Sequence, residues 1–172
     1  MNKIATIATG TALVAVLGFI QLEIETVGQD VQEIKSYLVQ LPRDTVKYTE
    51  SDEECLAKNI YYEAGFEPEN GKYAVAQVTL NRLKTGQWGN TICSVVYSKA
   101  QFSWTLKKNL HKPQGNAWID ARWIAHTVLA QNIRVRSLQD ATYYHADYVK
   151  PRWAKTVSRI QQVGAHIFYA KI

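Results

Sequence analysis

A helix with a marked beginning and a marked end lies between Ser51 and Pro68, and it constrains this chain more than any other stretch. Ser51 and Glu54 have the spacing of a capping box, so the helix is predicted to begin at Asp52. Gly65 predicts a left-handed residue just after the helix, and Pro68 cannot continue it. A helix of roughly three to four turns is therefore expected here.

Glu63 lies on the apolar side of this helix. Leu56, Ile60 and Glu63 follow one another at i, i+4 and i+7, so the carboxyl shares a face with two residues that favour burial. Burial raises the pKa of a carboxyl and keeps it protonated near neutral pH, as a general acid requires. The alternative is an ordinary glutamate at a helix end, solvated or paired with a basic residue.

Composition limits the class of protein. The 172 residues suffice for one domain of about 100 to 150 residues and an appendage. The chain has 5 Trp and 10 Tyr against 4 Phe, which suits a groove that stacks on sugars or bases, although core packing explains much of it. The net charge of +5 fits an anionic partner such as a cell wall, a membrane face or nucleic acid. Because the basic residues are not clustered, no nucleic-acid partner is expected.

The stretch Ile4–Ile20 carries no charged residue and has about the shortest length that can span a membrane. Lys3 before it and Glu23 after it predict a cytoplasmic N-terminus and a single pass through the inner membrane, with the rest of the chain in the periplasm. A cleaved signal peptide and an uncleaved anchor are both consistent with this pattern. Bulky residues at 18–22 lack the small-residue cleavage pattern and favour a signal anchor over residues 1–22.

Apolar residues then alternate at spacings of four and three from Ile20 to Leu41 and predict an amphipathic helix that ends at Pro42. Its stripe would either close a short coiled-coil homodimer or lie on the domain or the membrane surface. Residues 23–50 are therefore interpreted as a helical stalk and linker, and residues 51–172 as the folded domain.

Three further helices are predicted over Asn70–Lys84, Thr91–Tyr97 and Asn116–Arg134. The first is apolar on nearly all sides and should be central to the core. Asn81 and Arg82, near its end, are candidates to pair with a carboxylate.

The last of these helices has a predicted buried stripe, which consists of Ile119, Trp123, His126, Ala130 and Ile133.

The C-terminal part of the chain has strand-like composition. The residues at 141–145 and 157–169 are rich in β-branched and aromatic side chains, broken by Pro151 and Gly164, and predict a small antiparallel sheet.

Two cysteines, Cys55 and Cys93, could form a disulfide in an exported domain, and two buried thiols are the alternative. Neither has the local signature of a nucleophile. The four histidines lack the spacing of metal ligands, and no glycine-rich phosphate loop occurs, so neither a metal nor a cofactor is expected.

Six sequence blocks, in the same order, resemble the cell wall hydrolase family of the spore-cortex-lytic enzymes. The resemblance covers the chain from about Glu54 to Ile172 and implies an α+β, mostly helical lysozyme-like domain. The blocks are CLAKNIYYEA with the following Glu67-Pro68, YAVAQVTLNR, NTICSVVY, QFSWT, ATYYHADYVKPRWA and HIFY.

The resemblance also implies a role for particular residues. Glu63 corresponds to the family's acid/base glutamate, and Gln101, Trp104, Thr142 and His145 would line a groove for the glycan strands of peptidoglycan. Family members commonly carry Arg where this chain has Gly65 and His where it has Tyr143, so contacts around Glu63 are expected to differ.

The implied reaction is cleavage between N-acetylmuramic acid and N-acetylglucosamine. A lytic transglycosylase needs Glu63 alone, and this reaction is favoured. A muramidase that uses water would need a second carboxylate, for which Glu67 is the nearest candidate. An inactive, membrane-anchored glycan-binding protein is the alternative of another class. The weakly hydrophobic anchor resembles the signal-anchor-release segments of phage endolysins, which predicts such a role and release to the periplasm.

Overall fold

A computed structural model describes residues 29, 31–32, 34–40 and 47–172. The residues from Tyr37 onward form one compact unit, and the chain before Tyr37 belongs to a second unit, in which residues 29, 31–32 and 34–36 are helical. The anchor predicted over residues 1–22 lies outside the described residues. Among those described, no helix combines the length and the apolar character needed to span a bilayer.

Strand β1, Leu38–Gln40, lies where the sequence predicts the end of the stalk helix. It pairs antiparallel with β2, Ile133–Val135, so that Val39 lies opposite Arg134. The predicted helix to Pro42 is therefore wrong over these 3 residues. Strand formation depends on the partner strand more than on local spacing, which is why the sequence pattern misled here.

Helix α1, Glu50–Ala64, carries the glutamate singled out in the sequence. Its N-cap is Thr49 and not Ser51, because Thr49 and Asp52 form the capping box: the Asp52 N–H donates to Thr49 Oγ1 at 3.1 Å, and the Thr49 N–H donates to Asp52 Oδ2 at 3.2 Å. Gly65 follows the helix as predicted but stays right-handed, with φ of −57°.

Two helices follow as predicted. Helix α2, Glu69–Thr85, is buried over most of its length and ends at Gly86, whose φ of +68° only glycine adopts at little cost. The short helix α3, Ile92–Val96, begins with a capping box between Thr91 and Ser94. Helix α1 packs against both of them.

Helix α4, Gly115–Ala130, buries the opposite face from the predicted one. Ile119 and Trp123 are 65% and 60% exposed, and His126 is exposed beside Glu53. The residues that pack inward are Ala121, Ile124, Ala125 and Val128. Small alanines let α4 approach α1 closely, so side-chain size outweighed hydrophobicity in choosing the buried face.

The predicted small antiparallel sheet has the order β3–β5–β4. Its strands are β3, Ala141–Ala146, β4, Ser158–Val163, and β5, His166–Ala170. Asn81 of α2 is buried and donates to the carbonyls of Leu138 and Ala141, which fixes the entry of β3. The sheet thereby lies against the helices near the end of α1.

Candidate active site

The Glu63 carboxyl lies in the last turn of α1 and is bound to the sheet. Its Oε2 accepts a hydrogen bond from the Tyr144 hydroxyl of β3 at 2.9 Å. The Tyr144 ring itself packs against His166 and Phe168 of β5. The two partners are 81 residues apart in sequence, so the tertiary fold alone brings this donor to the acid.

Burial raises the pKa of the Glu63 carboxyl. The Tyr144 hydrogen bond and the positive charges of Arg82 and Lys107 oppose this shift, but desolvation is the larger effect. Burial and the Glu63 charge also raise the pKa of the Tyr144 phenol well above its ordinary value, so Tyr144 remains a donor. The environment therefore favours a protonated Glu63, the form that can give a proton to a leaving group.

Arg82 is the buried cation near this carboxyl and is only 6% exposed. Its Nε donates to the Thr142 carbonyl at 2.9 Å, and its guanidinium lies 4.9 Å from the ring centre of Phe102 and 5.4 Å from that of Trp88. Its Nη1 has no hydrogen-bond partner among the described residues. None of the ion pairs in the described part of the chain joins Arg82 to Glu63, so Arg82 acts on the acid as a nearby charge.

A cleft of about 280 Å³ opens beside Glu63. The last turn of α1 forms one side, and the end of β3 with the β4–β5 turn forms another. Aromatic rings dominate its walls, and such rings offer apolar faces and polar edges that suit a carbohydrate. They belong to Tyr61, Tyr62, Phe66, His111, Tyr148 and His166.

Glu67 also borders the cleft, but its carboxylate is engaged by the backbone. Its Oε2 accepts a hydrogen bond from the Ala165 N–H at 2.9 Å, and its Oε1 lies 3.9 Å from His166 Nδ1. Gly164, with φ of +56°, makes room for this contact, because a Cβ there would overlap Glu67 Oε2. Glu67 thus ties the turn after α1 to the β4–β5 hairpin.

Trp104 lies behind the cleft wall and is 5% exposed. Its Nε1–H donates to Asn59 Oδ1 at 2.9 Å, and the Asn59 amide donates to Thr79 Oγ1 at 3.0 Å. The Trp104 ring stacks on that of Tyr62, with 4.6 Å between the centroids. Trp104 therefore supports an aromatic ring that faces the cleft.

The other residues assigned by resemblance lie elsewhere. Gln101 is half-buried and donates to the Lys99 carbonyl at 3.2 Å. Thr142 is buried and lines a different cavity. His145 hydrogen-bonds to the Tyr169 hydroxyl at 2.8 Å on the opposite face of the sheet from Tyr144. None of the three lines the Glu63 cleft, and their contact with substrate stays a prediction.

Sequence reasoning assigned no role to Tyr144 or His111. Tyr144 stands in the ATYYH block, where strand alternation places it on the face opposite His145. This alternation could have identified Tyr144 as a donor to Glu63, because such a donor has to lie on the face of β3 that packs against the helices. His111 gave no such signal, because only the tertiary fold brings its loop to the Tyr61 and Tyr62 hydroxyls.

A disulfide joins Cys55 of α1 to Cys93 of α3. Asp52, which caps α1, also accepts a hydrogen bond from the Cys93 N–H at 3.1 Å. The start of the helix that carries Glu63 is thus fixed to α3 by a covalent bond and a hydrogen bond. Across residues 29–40 and 47–172, as far as they are described, no group of three acidic, His or Cys side chains has metal-site geometry.

Comparison with known proteins gives spore cortex-lytic enzymes as relatives and SleB catalytic domains as structural neighbours. The chain is 28% identical over 123 residues to the spore cortex-lytic enzyme of Oceanobacillus iheyensis, covering 70% of this chain and 42% of that protein. It is 26% identical over 121 residues to the spore cortex-lytic enzyme of Bacillus subtilis, covering 70% and 38%. The chain therefore spans less than half the length of these curated relatives.

Two solved structures share the fold. The catalytic domain of the Bacillus cereus SleB protein superposes with a TM-score of 0.60 at 24% identity, covering 74% of this chain and 98% of that domain. The catalytic domain of the germination-specific lytic transglycosylase SleB from Bacillus anthracis gives a TM-score of 0.58 at 25% identity, covering 75% and 99%.

The sequence pattern of the cell wall hydrolase family matches residues 66–169, a range that begins just after Glu63. The match extends over more than half of the chain and includes Glu67, α2, α4 and the three-stranded sheet. The α+β domain therefore belongs to the cell wall hydrolase family.

Proposed function

We propose that this chain cleaves the glycan strands of peptidoglycan between N-acetylmuramic acid and N-acetylglucosamine, as a lytic transglycosylase with Glu63 as its general acid and base. The observation that carries the proposal is the Glu63 carboxyl itself. It is buried enough for its pKa to be raised, it is oriented by the Tyr144 hydroxyl, and it borders an aromatic cleft. The family to which the domain belongs supports the substrate class.

The reaction needs one proton to travel in each direction. Protonated Glu63 gives its proton to the glycosidic oxygen as the bond from that oxygen to C1 of the muramic acid breaks. The C6 hydroxyl of the same sugar then forms a bond to C1 and returns its proton to the Glu63 carboxylate. The products are a 1,6-anhydromuramic acid end and a new N-acetylglucosamine end, and Glu63 recovers its starting form.

Glu67 is the reason for preferring this reaction over hydrolysis. A muramidase that activates water uses a second carboxylate with a free oxygen facing the substrate. Among the described residues that line the cleft, Glu67 is the other carboxylate, and the Ala165 N–H already occupies its Oε2. Hydrolysis with Glu67 as base is the second candidate, since its Oε1 accepts no hydrogen bond from the described residues.

Purified full-length chain, incubated with peptidoglycan sacculi, tests the proposal by mass spectrometry of the soluble muropeptides. Anhydro ends support the transglycosylase, reducing ends support the hydrolase, and the absence of release supports a binding protein without activity. Glu63→Gln should lower the rate by about 100-fold to 10,000-fold, the range that a general acid contributes. Glu54→Gln, on the exposed side of the same helix, is the matched control and should leave the rate unchanged.

We further propose that residues 1–22 anchor the protein in the inner membrane, with a cytoplasmic N-terminus and the catalytic domain in the periplasm. The Cys55–Cys93 disulfide supports an oxidising compartment. Residues 23–50 would act as the stalk and linker to the domain over residues 51–172, and a phage endolysin released from the membrane is the corresponding biological role. Fractionation of cells before and after depolarisation tests release, and a chain that stays in the membrane fraction contradicts it.

The stalk stripe is also proposed to hold two copies together as a homodimer. Val31 belongs to this stripe and is 43% exposed, so a charge there should disturb the dimer and not the fold of the domain. Sedimentation of the full chain in detergent, compared with a Val31→Asp variant, tests this. A monomer at all concentrations would reject the dimer.

A further inference from the structure

A second cavity, of about 400 Å³, lies at the end of β3 away from the Glu63 cleft. The end of α2 and the loop after it form one wall, and the turn before β3 and the residues after β5 form the others. We call it the Trp88 cavity. Its lining consists of Asn81, Lys84, Thr85, Gln87, Trp88, Gln139, Asp140, Thr142, Ala170 and Lys171.

Strand β3 connects the two cavities. Thr142 lines the Trp88 cavity, Ala146 lines the Glu63 cleft, and Tyr144, which binds Glu63, stands between them. Four residues of extended strand cover about 13 Å. The two cavities are therefore separated by about the length of a few sugar or peptide units along β3.

The Trp88 side chain is held in place as a wall of the cavity. The Arg82 guanidinium lies 5.4 Å from its ring centre, and the Tyr143 ring meets it edge-on at 6.1 Å. The loop that carries Trp88 passes close to Ser94 of α3 at Gly89, where a Cβ would overlap Ser94 Oγ. The ring thus offers a fixed apolar surface, which lowers the entropic cost of binding a ligand.

No ion pair within the described part of the chain involves the charged groups of this cavity. Neither Lys84 nor Lys171 forms an ion pair with any described residue, and neither does Asp140. Two free ammonium groups favour a ligand that carries carboxylates, while the amides of Gln87 and Gln139 suit a peptide backbone. Both lysines are exposed to solvent, and a neutral sugar would gain no ion pair from their ammonium groups.

We propose that the Trp88 cavity binds the peptide stem of peptidoglycan, the acidic peptide attached to the muramic acid next to the bond that Glu63 cleaves. This inference rests on the proposed function. The stem carries carboxylates for Lys84 and Lys171, amides for the glutamines, and an amine for Asp140. The site therefore adds selectivity for glycan strands that retain their peptides.

Two substrates separate this inference from the function itself: intact sacculi, and the same glycan strands stripped of their stems by an amidase. Lys84→Gln with Lys171→Gln should raise the half-saturating concentration of intact strands roughly fivefold to tenfold, the scale of losing one or two exposed ion pairs. Turnover of stripped strands should not change. Lys155→Gln, an exposed lysine outside both cavities, is the control and should alter neither.

Direct binding gives a measurement that does not depend on catalysis. A free tetrapeptide stem, titrated calorimetrically into the Glu63→Gln protein, should bind, and the added Lys84→Gln and Lys171→Gln changes should weaken binding to a similar extent. Equal losses on intact and stripped strands, or undiminished stem binding by the lysine variants, would overturn the inference. Failure of the wild-type chain to cleave either substrate would instead reject the proposed function, and the titration would still decide the binding site.

Discussion

The Tyr144 hydroxyl donates to Glu63 Oε2 at 2.9 Å and so joins β3 to the last turn of α1 across the edge of the cleft. The other oxygen, Oε1, accepts no hydrogen bond from the described residues. One oxygen of the carboxyl is therefore fixed by the sheet, and the other is left to carry the proton that the proposed reaction transfers.

Removing this donor should change both the rate and the pH dependence of the enzyme. In Tyr144→Phe, the Glu63 carboxylate loses a hydrogen bond that stabilises its charged form, so its pKa rises further. Because the acid must be protonated at the start, the limb on which activity falls with rising pH should move to higher pH. Loss of orientation should lower kcat by about 10-fold to 100-fold, as expected for a hydrogen bond to a charged group.

Tyr143→Phe is the matched control for this variant. Tyr143 is the neighbouring residue, but its ring contacts Trp88 and Trp153 and makes no hydrogen bond to Glu63. Its pH–rate profile should coincide with that of the wild type. Coincident profiles for Tyr144→Phe and the wild type would show that the hydrogen bond does not tune Glu63.

Glu63→Gln should stabilise the fold in a pH-dependent way. A carboxyl whose pKa is raised in the folded state contributes its full stability below its unfolded pKa and loses it as the pH rises through the folded pKa. The amide introduced by this substitution carries no charge to desolvate and can still accept from Tyr144. Thermal unfolding should therefore give equal Tm values near pH 4 and a higher Tm for the variant at pH 7.

Glu54→Gln provides a comparison in which the expected change in stability at pH 7 has the opposite sign. The hydrogen bond and charge of Lys58 lower the pKa of the exposed Glu54 carboxyl, so its small contribution is present at neutral pH and lost in acid. This variant should be slightly less stable at pH 7. If the Tm difference between Glu63→Gln and the wild type did not change with pH, this would contradict a half-buried Glu63 whose pKa is raised.

Glu67 should prove to be a residue that stabilises the fold. In Glu67→Gln the side-chain carbonyl can still accept from the Ala165 N–H, so the variant should retain most of its activity and still yield anhydro ends. Glu67→Ala leaves that N–H without its acceptor and should lower the free energy of unfolding by about 1 to 3 kcal/mol, measured by urea denaturation. A loss of activity in Glu67→Gln as deep as that in Glu63→Gln, with unchanged stability, would instead make Glu67 a catalytic base.

Reduction of the Cys55–Cys93 disulfide should destabilise the domain. The bond closes a loop with a sequence separation of 38, which corresponds to about 4 kcal/mol in the chain-entropy description. Urea unfolding with and without reductant measures the difference. A Cys55→Ser, Cys93→Ser double variant should match the reduced wild type and should not respond to reductant.

Local signals predicted much of the helical framework. The ends of α1, α2 and α3 follow from caps, glycines and prolines that act within one turn, and the apolar run of α2 identified it as central. The position of Glu63 at the end of α1 followed from helical spacing in the same way. Even here Thr49, and not Ser51, is the N-cap. Asp52 and Glu54 are competing capping partners for Thr49 and Ser51, and the hydrogen bond from the Cys93 N–H to Asp52 favours the Thr49–Asp52 pair.

Features that depend on distant partners could not be read in this way. The buried face of α4 was assigned to its largest apolar residues, whereas close approach to α1 selects Ala121 and Ala125. The partner of Glu63 stands 81 residues away on a strand, and the partner of Glu67 is a backbone N–H, which has no sequence signature. Both contacts exist only once the sheet has packed on the helices.

Strand β1 would have a mechanical consequence under the membrane anchoring proposed above. It precedes α1 in the chain and is held to β2 by an antiparallel backbone ladder that pairs Leu38 with Val135 and Gln40 with Ile133. Tension that enters from the N-terminal side must separate this ladder before it can pull on α1. In the proposed anchored protein, the β1–β2 ladder would bear a pulling force from the N-terminal side before that force reached α1, the helix that carries Glu63.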